Sequence, residues 1–141
     1  MFTGEFRHTI DSKGRVAVPA RFRAELAAGA TVCRWLESCV AIFPKQVWQQ
    51  LAEAASAERY TDAGARAFTR FLFSGAFEVE LDGQGRLVLP ASLRQFGGLK
   101  SDAVVVGAAD HLELWEPERW DGISAAMSSD EFAERIGGLG L

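Results

Sequence analysis

The sequence has few of the side chains that build metal centres and disulfide frameworks. It contains two cysteines and two histidines, and neither His8 nor His111 has a cysteine or carboxylate pattern at the spacing of a metal site. Cys33 and Cys39 lie on neighbouring strand-like segments, and we expect two reduced, buried side chains in preference to a disulfide. The sequence therefore predicts no metal site and no cofactor.

The sequence also lacks a long apolar segment and a glycine-rich phosphate loop. No hydrophobic run approaches the roughly 20 residues that cross a bilayer, and no secretory signal precedes the first strand-like segment. The glycines at 137–140 are not followed by the helix that a phosphate loop requires, and paired carboxylates such as Glu78 and Glu80 are most simply solvated. We therefore expect a cytoplasmic protein that is not an enzyme and has neither a membrane contact nor a small-molecule substrate.

The sequence does contain one motif in two copies. The segment 11–20 returns at 82–91, shifted by 71 positions (82 − 11 = 71). Across the wider windows 4–23 and 75–94, eight of the 20 aligned pairs are identical, where chance gives about one or two. Such self-similarity indicates a duplicated structural unit.

Each copy centres on the pattern Asp-x-x-Gly-Arg between two segments in which apolar and polar residues alternate. The alternation predicts strands. Aspartate followed by glycine predicts a tight turn, because the carboxylate binds backbone N–H groups and glycine adopts a positive φ. We therefore predict two β-hairpins, 5–10 with 15–18 and 76–81 with 86–89, with Asp11, Gly14, Asp82 and Gly85 as structural turn residues.

The remainder of each copy follows the same order of elements. Pro19 and Pro90 end a strand and open a helix, and Asp62 can cap a further helix. The patterns predict helices at 19–28, 45–57, 63–73, 90–96, 117–127 and 131–136, and further strands at 31–36, 39–43, 103–107 and 111–115. The fold class is α+β with a pseudo-twofold repeat, divided into a first unit at 1–60, a connecting helix at 61–74, a second unit at 75–127, and a short helix and tail at 128–141.

The two copies differ in charge. Residues 1–70 hold ten basic and seven acidic side chains (+3), and residues 71–141 hold five and twelve (−7), which together give the net charge of −4. Arg7 and Lys13 of the first copy are replaced by Glu78 and Gln84 in the second. A basic hairpin favours a polyanionic partner, and the acidic second half limits non-specific binding to polyanions.

The arginine after each turn has two possible roles. Arg15 and Arg86 could simply pair with the aspartate across the turn, a contact worth about 0.2–1 kcal/mol when exposed. Alternatively, each hairpin presents its arginine to nucleic acid, because a guanidinium can fork onto phosphate or guanine and a two-stranded ribbon fits the major groove. The candidate DNA-binding residues are Arg15, Lys13, Arg86 and Arg7, with Lys13 contacting phosphate from the hairpin tip. Arg21 and Arg23 are equally open as contacts or as solvated surface.

The chain closely resembles the MraZ family of bacterial transcriptional regulators, a likeness carried by residues 4–16 and 19–23, by the second Asp-x-x-Gly-Arg unit and by the total length. The resemblance implies two SpoVT/AbrB-type units in tandem, each a swapped-hairpin β-barrel, and ring-shaped homo-oligomers. It also implies binding to double-stranded DNA at short repeated boxes upstream of the division and cell-wall operon that encodes the protein. We accordingly expect a nucleoid-associated, sequence-specific regulator.

An oligomeric scaffold of antitoxin-like fold is the alternative function. A protein partner would then bind a surface lined by Leu72, Phe73, Trp115, Trp120 and Phe132. A unit of ~70 residues is marginal on its own, so we expect either two units packed together or several chains assembled. Four tryptophans and ten phenylalanines also exceed what two small cores can enclose, so we expect a homo-oligomer well above a dimer.

Overall fold

The computed structural model describes residues 1–57 and 60–140, which form an α+β fold as predicted. The strands are β1 (Glu5–Thr9), β2 (Arg15–Ala17), β3 (Ala30–Arg34), β4 (Val40–Pro44), β5 (Phe77–Val79), β6 (Arg86–Val88), β7 (Asp102–Gly107) and β8 (Leu112–Trp115). The α-helices are α1 (Lys45–Ser56), α2 (Ala63–Ser74), α3 (Ala91–Gly97), α4 (Pro117–Ala126) and α5 (Asp130–Gly137). In the part of the chain that the structure describes, every helix is too short or too polar to traverse a membrane.

The strands are arranged so that the two copies of the motif interlock. Six strands form one antiparallel sheet in the order β1-β7-β8-β4-β3-β5, and β2 and β6 form a separate two-stranded ribbon. Because β1 pairs with β7 and β5 pairs with β3, the strand before each Asp-x-x-Gly turn pairs with a strand of the other copy. Among the described residues the sheet does not close into a barrel, since β1 and β5 remain its edges.

The predicted hairpin pairing is therefore wrong, although the turns themselves form. Within the described first copy, the segments around the turn are joined in the sheet pattern only by the bridge between Ile10 and Val16. β2 pairs instead with β6 of the second copy. An alternating strand can pair with any antiparallel neighbour that leaves its apolar side chains facing the core. Because the copies exchange strands, the apolar faces of both copies pack into one core.

The segment 19–28 forms two 3-10 turns in place of the predicted helix. The turns are Ala20–Phe22 and Ala24–Leu26. Phe22 and Leu26 are nevertheless both buried, as the apolar spacing predicted. The rings of Phe2 and Phe6 meet the ring of Phe22 edge-on at centroid distances of 5.2 and 5.8 Å. Tertiary packing of this kind overrides weak helix propensity in so short a segment.

Helices α1 and α2 cover a small apolar cluster on the sheet that includes Cys33 and Phe43. Asp62 caps α2 as predicted, because its carboxylate accepts a hydrogen bond from the Ala65 N–H at 2.9 Å. Cys33 and Cys39 are free, buried thiols, which also matches the prediction. Burial raises the pKa of Cys33 to about 12, so this side chain packs as a small, unreactive apolar group.

The main core is shared by the two copies. Of the described residues, ten before residue 72 and eight after it are buried in this core, among them Val16, Phe22, Leu87 and Leu93. Full burial of an aliphatic or aromatic side chain contributes about 1.5–3 kcal/mol. Since each copy supplies a large part of the same cluster, each copy needs the other to cover its apolar face.

The aromatic side chains are mostly enclosed within the single chain, which corrects an argument made from the sequence. Trp115 and Trp120 are buried, and Trp35 and Trp48 pack half-buried against the two smaller clusters. Leu72 is also fully buried. The burial of Leu72, Trp115 and Trp120 contradicts their assignment above to a scaffold surface. One shared core and a covering helix layer enclose more aromatic area than two separate small cores would, so aromatic content does not by itself require assembly.

Candidate nucleic-acid interface

The ribbon of β2 and β6 brings the two Asp-x-x-Gly-Arg motifs together. Its register pairs Arg15 with Val88, Val16 with Leu87, and Ala17 with Arg86. Directly paired side chains share a face, and successive residues alternate between faces. Val16 and Leu87 are buried in the core. The opposite, outer face of the ribbon therefore consists of Arg15, Ala17, Arg86 and Val88.

The two arginines occupy equivalent places on this outer face. Arg15 and Arg86 are diagonal neighbours across the ribbon, a relation that separates Cα atoms by roughly 7–8 Å. Their side chains are 31% and 29% exposed. Because β2 and β6 run antiparallel, the turn before Arg15 and the turn before Arg86 lie at opposite ends of the ribbon.

Each arginine follows a turn that fixes its backbone. In the first turn, Oδ1 of Asp11 accepts hydrogen bonds from the backbone N–H groups of Lys13 and Arg15, both at 2.9 Å. In the second turn, Asp82 accepts the equivalent pair from Gln84 and Arg86, also at 2.9 Å. Gly14 and Gly85 have φ angles of 79° and 74°, which glycine adopts without strain. The four predicted turn residues thus lie where the turn geometry needs them.

The aspartate of each turn also pairs with the guanidinium. Nε of Arg15 lies 2.6 Å from Oδ2 of Asp11, and Nε of Arg86 lies 2.9 Å from Oδ2 of Asp82. The backbone N–H of the arginine lowers the pKa of each aspartate below its ordinary value, and the guanidinium lowers it further. The aspartate occupies only Nε, whereas the two terminal amino groups of the guanidinium can still donate together to a pair of acceptors, such as two phosphate oxygens or O6 and N7 of guanine. The two roles considered for Arg15 and Arg86 are therefore compatible.

The other two candidate residues lie in different places. Lys13 is exposed in the first turn, where the second turn has Gln84. Arg7 lies outside the ribbon, on the edge strand β1, and its Nη2 donates to Oδ1 of Asp121 in α4 at 2.8 Å. The structure therefore brings Arg15, Arg86 and Lys13 to one ribbon, while Arg7 lies on the sheet edge.

Ala17 and Val88 belong to the outer face but were not among the candidate residues. Val88 is 51% exposed, which is unusual for valine in a strand that has a buried neighbour. Their position could have been predicted from the sequence, because in a strand the residue two positions after each arginine lies on the same face as that arginine. Within residues 1–57 and 60–140, no group of three or more histidine, cysteine or acidic side chains is placed to hold a metal ion.

Fold and site define a class of protein: a duplicated α+β chain whose copies share a core and jointly present a ribbon with two outward arginines. The family described as “MraZ protein, putative antitoxin-like” matches residues 1–71 and 72–136, one match to each copy. The chain belongs to the MraZ family.

Full-length relatives extend this likeness. A protein of Heliobacterium modesticaldum is 44% identical over 96% of both chains, and one of Roseiflexus castenholzii is 42% identical over 99% of both. A protein of Moorella thermoacetica is 46% identical over 86% of this chain and 85% of its own. All three are named transcriptional regulator MraZ.

Proposed function

We propose that this protein is a sequence-specific DNA-binding transcriptional regulator that inserts the outer face of the β2–β6 ribbon into the major groove. The single observation that carries the proposal is the presence of Arg15 and Arg86 on one outward face of a two-stranded ribbon. A ribbon of this kind fits the major groove of B-form DNA. The protein acts by binding and not by catalysis, and it works in the cytoplasm on the nucleoid.

The chemistry of the outer face suits direct reading of bases. The terminal amino groups of Arg15 and Arg86 can each bind O6 and N7 of a guanine, a contact worth about 1–3 kcal/mol of discrimination against the wrong base. Val88 and Ala17, on the same face, can contact the methyl group of thymine. Guanine and thymine contacts on one ribbon supply specificity that phosphate contacts alone lack.

Lys13 and Arg7 are assigned to the DNA backbone. An exposed lysine at the tip of a turn suits a phosphate, which positions the protein without specifying sequence. Arg7 must share or exchange its ion pair with Asp121 to reach DNA. That pair is more than half exposed on both sides, so it is weak and an exchange costs little.

Assembly completes the proposal. Several chains form a ring that binds repeated boxes upstream of the gene cluster for division and cell-wall synthesis. The two edge strands of the sheet support a ring, because β1 and β5 come from equivalent positions of the two copies and so give each chain two similar edges. A ring would repeat the Arg15 ribbon at regular intervals, and repeated sites on DNA then add avidity to a weak single contact.

The scaffold function remains the second candidate because of α5. Along this helix and the turn after it, Phe132 is half-buried, while Ile136 and Leu139 are 41% and 66% exposed. An exposed apolar face of this kind marks contact sites for proteins. Salt separates the candidates, because DNA binding weakens steeply with salt whereas capture of a protein through an apolar face does not.

Gel-shift titration with duplex DNA from upstream of the gene tests the proposal. Arg15→Ala should keep the fold and lose roughly five- to 150-fold in affinity, the change expected for one bidentate base contact of about 1–3 kcal/mol. Arg15→Lys should also lose much of the binding, because lysine cannot form the planar fork. Arg135→Ala, a loss of equal charge in α5, is the matched control and should bind normally. Wild-type binding by Arg15→Ala would contradict the assignment.

A further inference from the structure

Arg23 and Arg94 occupy equivalent positions in the two copies (94 − 23 = 71), and each reaches the turn of the other copy. The guanidinium of Arg23 lies against Gly85, and that of Arg94 lies against Gly14. Arg21 differs from these two arginines, because its guanidinium lies over the Phe22 ring at 5.0 Å from the centroid. The exchange of strands between copies brings each arginine to the opposite turn.

The closeness of the contact is visible at the glycines. A Cβ atom on Gly85 would overlap Nε and Cζ of Arg23. A Cβ atom on Gly14 would stand 3.1 Å from Cζ of Arg94 and 2.9 Å from the carbonyl oxygen of Leu89. Both glycines are buried although most other residues of their turns are exposed. Each turn thus favours glycine for two reasons: the backbone has a positive φ, and the arginine fills the space that a side chain would need.

Hydrogen bonds continue the same crosswise link. The backbone N–H of Val18 donates to the carbonyl of Gly85 at 3.0 Å, and Nε of Arg23 donates to the carbonyl of Val18 at 3.1 Å. At the other end, the backbone N–H of Leu89 donates to the carbonyl of Gly14 at 2.8 Å. Nε of Arg94 is buried without a hydrogen-bond partner among the described residues, so Arg94 acts on its turn through packing.

We infer that Arg23 and Arg94 are positioning residues that hold the Asp-x-x-Gly turn of the opposite copy, and thereby aim the arginine that follows it. Arg94 fixes the turn that presents Arg15, and Arg23 fixes the turn that presents Arg86. The consequence for DNA rests on the proposed function; the restraint on the turns does not. The crosswise link makes each DNA contact depend on both copies, because the reading arginine and its support come from different repeats.

Amide hydrogen exchange on DNA-free protein tests the restraint alone. In Arg94→Ala, the amides of Lys13 and Gly14 should exchange roughly fivefold faster or more, while those of Gln84 and Gly85 keep their rates. Arg23→Ala should produce the reverse pattern. Arg94→Met keeps the apolar stem and replaces Arg94→Ala if that variant unfolds. Equal acceleration at both turns, or acceleration in the arginine's own copy, would overturn the inference, because a general loss of stability affects both turns alike.

Titration with the upstream duplex DNA tests the consequence. The titration is made in a Lys13→Ala background, because Lys13 lies on the same turn and is assigned a phosphate contact of its own. In that background, adding Arg94→Ala to Arg15→Ala should cause no further loss, whereas adding it to Arg86→Ala should weaken binding again, since only Arg94 and Arg15 act as a unit. The salt slope should be the same with and without Arg94→Ala, and a slope reduced by about 0.9 would reveal a direct phosphate contact of Arg94 and overturn the positioning role. Failure of the wild type to bind would contradict the proposed function while leaving the crosswise exchange pattern intact.

Discussion

His111 is held in a polar network inside an aromatic pocket. Its Nε2 lies 2.9 Å from Oε2 of Glu113, and its Nδ1 lies 2.8 Å from Oδ1 of Asp110. Glu113 also accepts a hydrogen bond from Nε1 of Trp115 at 2.9 Å, and the Phe43 ring stacks on the imidazole at 4.8 Å. Burial alone would lower the pKa of His111, but the two carboxylates outweigh it and raise the pKa above 6.5.

This network predicts a pH-dependent contribution to stability. Since the pKa of His111 is raised by folding, protonation favours the folded state. The contribution is complete below the unfolded pKa and disappears as the pH rises through the folded pKa. The free energy of unfolding, measured with urea at about pH 6 and about pH 9, should therefore fall more in the wild type than in His111→Gln.

Glu113→Gln provides a second check on the same network. It removes the more enclosed of the two carboxylates, whose side chain is 17% exposed against 66% for Asp110. This variant should reduce the pH dependence in the same direction as His111→Gln. An identical pH dependence in all three proteins would contradict the role of His111.

Single residues were predictable where the cause is local. The bonds of Asp11 with its own turn and the cap at Asp62 follow from residues within four positions, and sequence order shows such partners directly. The contact of His111 with Glu113 is equally local, because the two residues lie two positions apart in the chain. The supports Arg23 and Arg94 could not be predicted, because their contacts depend on the exchange of strands between copies.

At the scale of elements, the sequence predicted where strands and helices form better than it predicted which strands pair. The four further strands form where predicted, and β3 pairs with β4 and β7 with β8, as short connections between neighbouring strands favour. β1 and β2 pair elsewhere, since alternation specifies which face is buried but not which antiparallel neighbour covers it. The ribbon of β2 and β6 is therefore the part of the site that only the three-dimensional structure reveals.

The ribbon predicts unequal contributions from its two ends. Lys13 accompanies Arg15 in the first motif, whereas Gln84 stands at the equivalent place in the turn before Arg86. Arg86→Ala should therefore weaken DNA binding less than Arg15→Ala in side-by-side titrations, and Gln84→Lys should strengthen it by restoring a phosphate contact. Equal losses from both alanine variants would show that the two ends contact DNA alike.

At the scale of the whole molecule, one core joins the two copies and both sheet edges stay open. Among the residues that the structure describes, β1 and β5 each have a neighbouring strand on one side only, and unpaired backbone groups at a strand edge are a ready template for another chain. Phe77, on β5, is also 39% exposed. The case for assembly therefore rests on these two edges and no longer on the total aromatic content.

Two similar edges on every chain predict a homo-oligomer well above a dimer, formed without DNA. A head-to-tail contact between the edges closes into a ring when the rotation between neighbours divides a full turn. Light scattering at micromolar concentration should therefore give several times the chain mass of 15.4 kDa. Phe77→Lys should lower that mass, because a charge on the edge opposes pairing. Tyr60→Lys replaces an aromatic side chain that is also exposed but lies outside β5, and it should leave the mass unchanged. A wild-type mass of 15.4 kDa would exclude both the ring and the avidity it supplies.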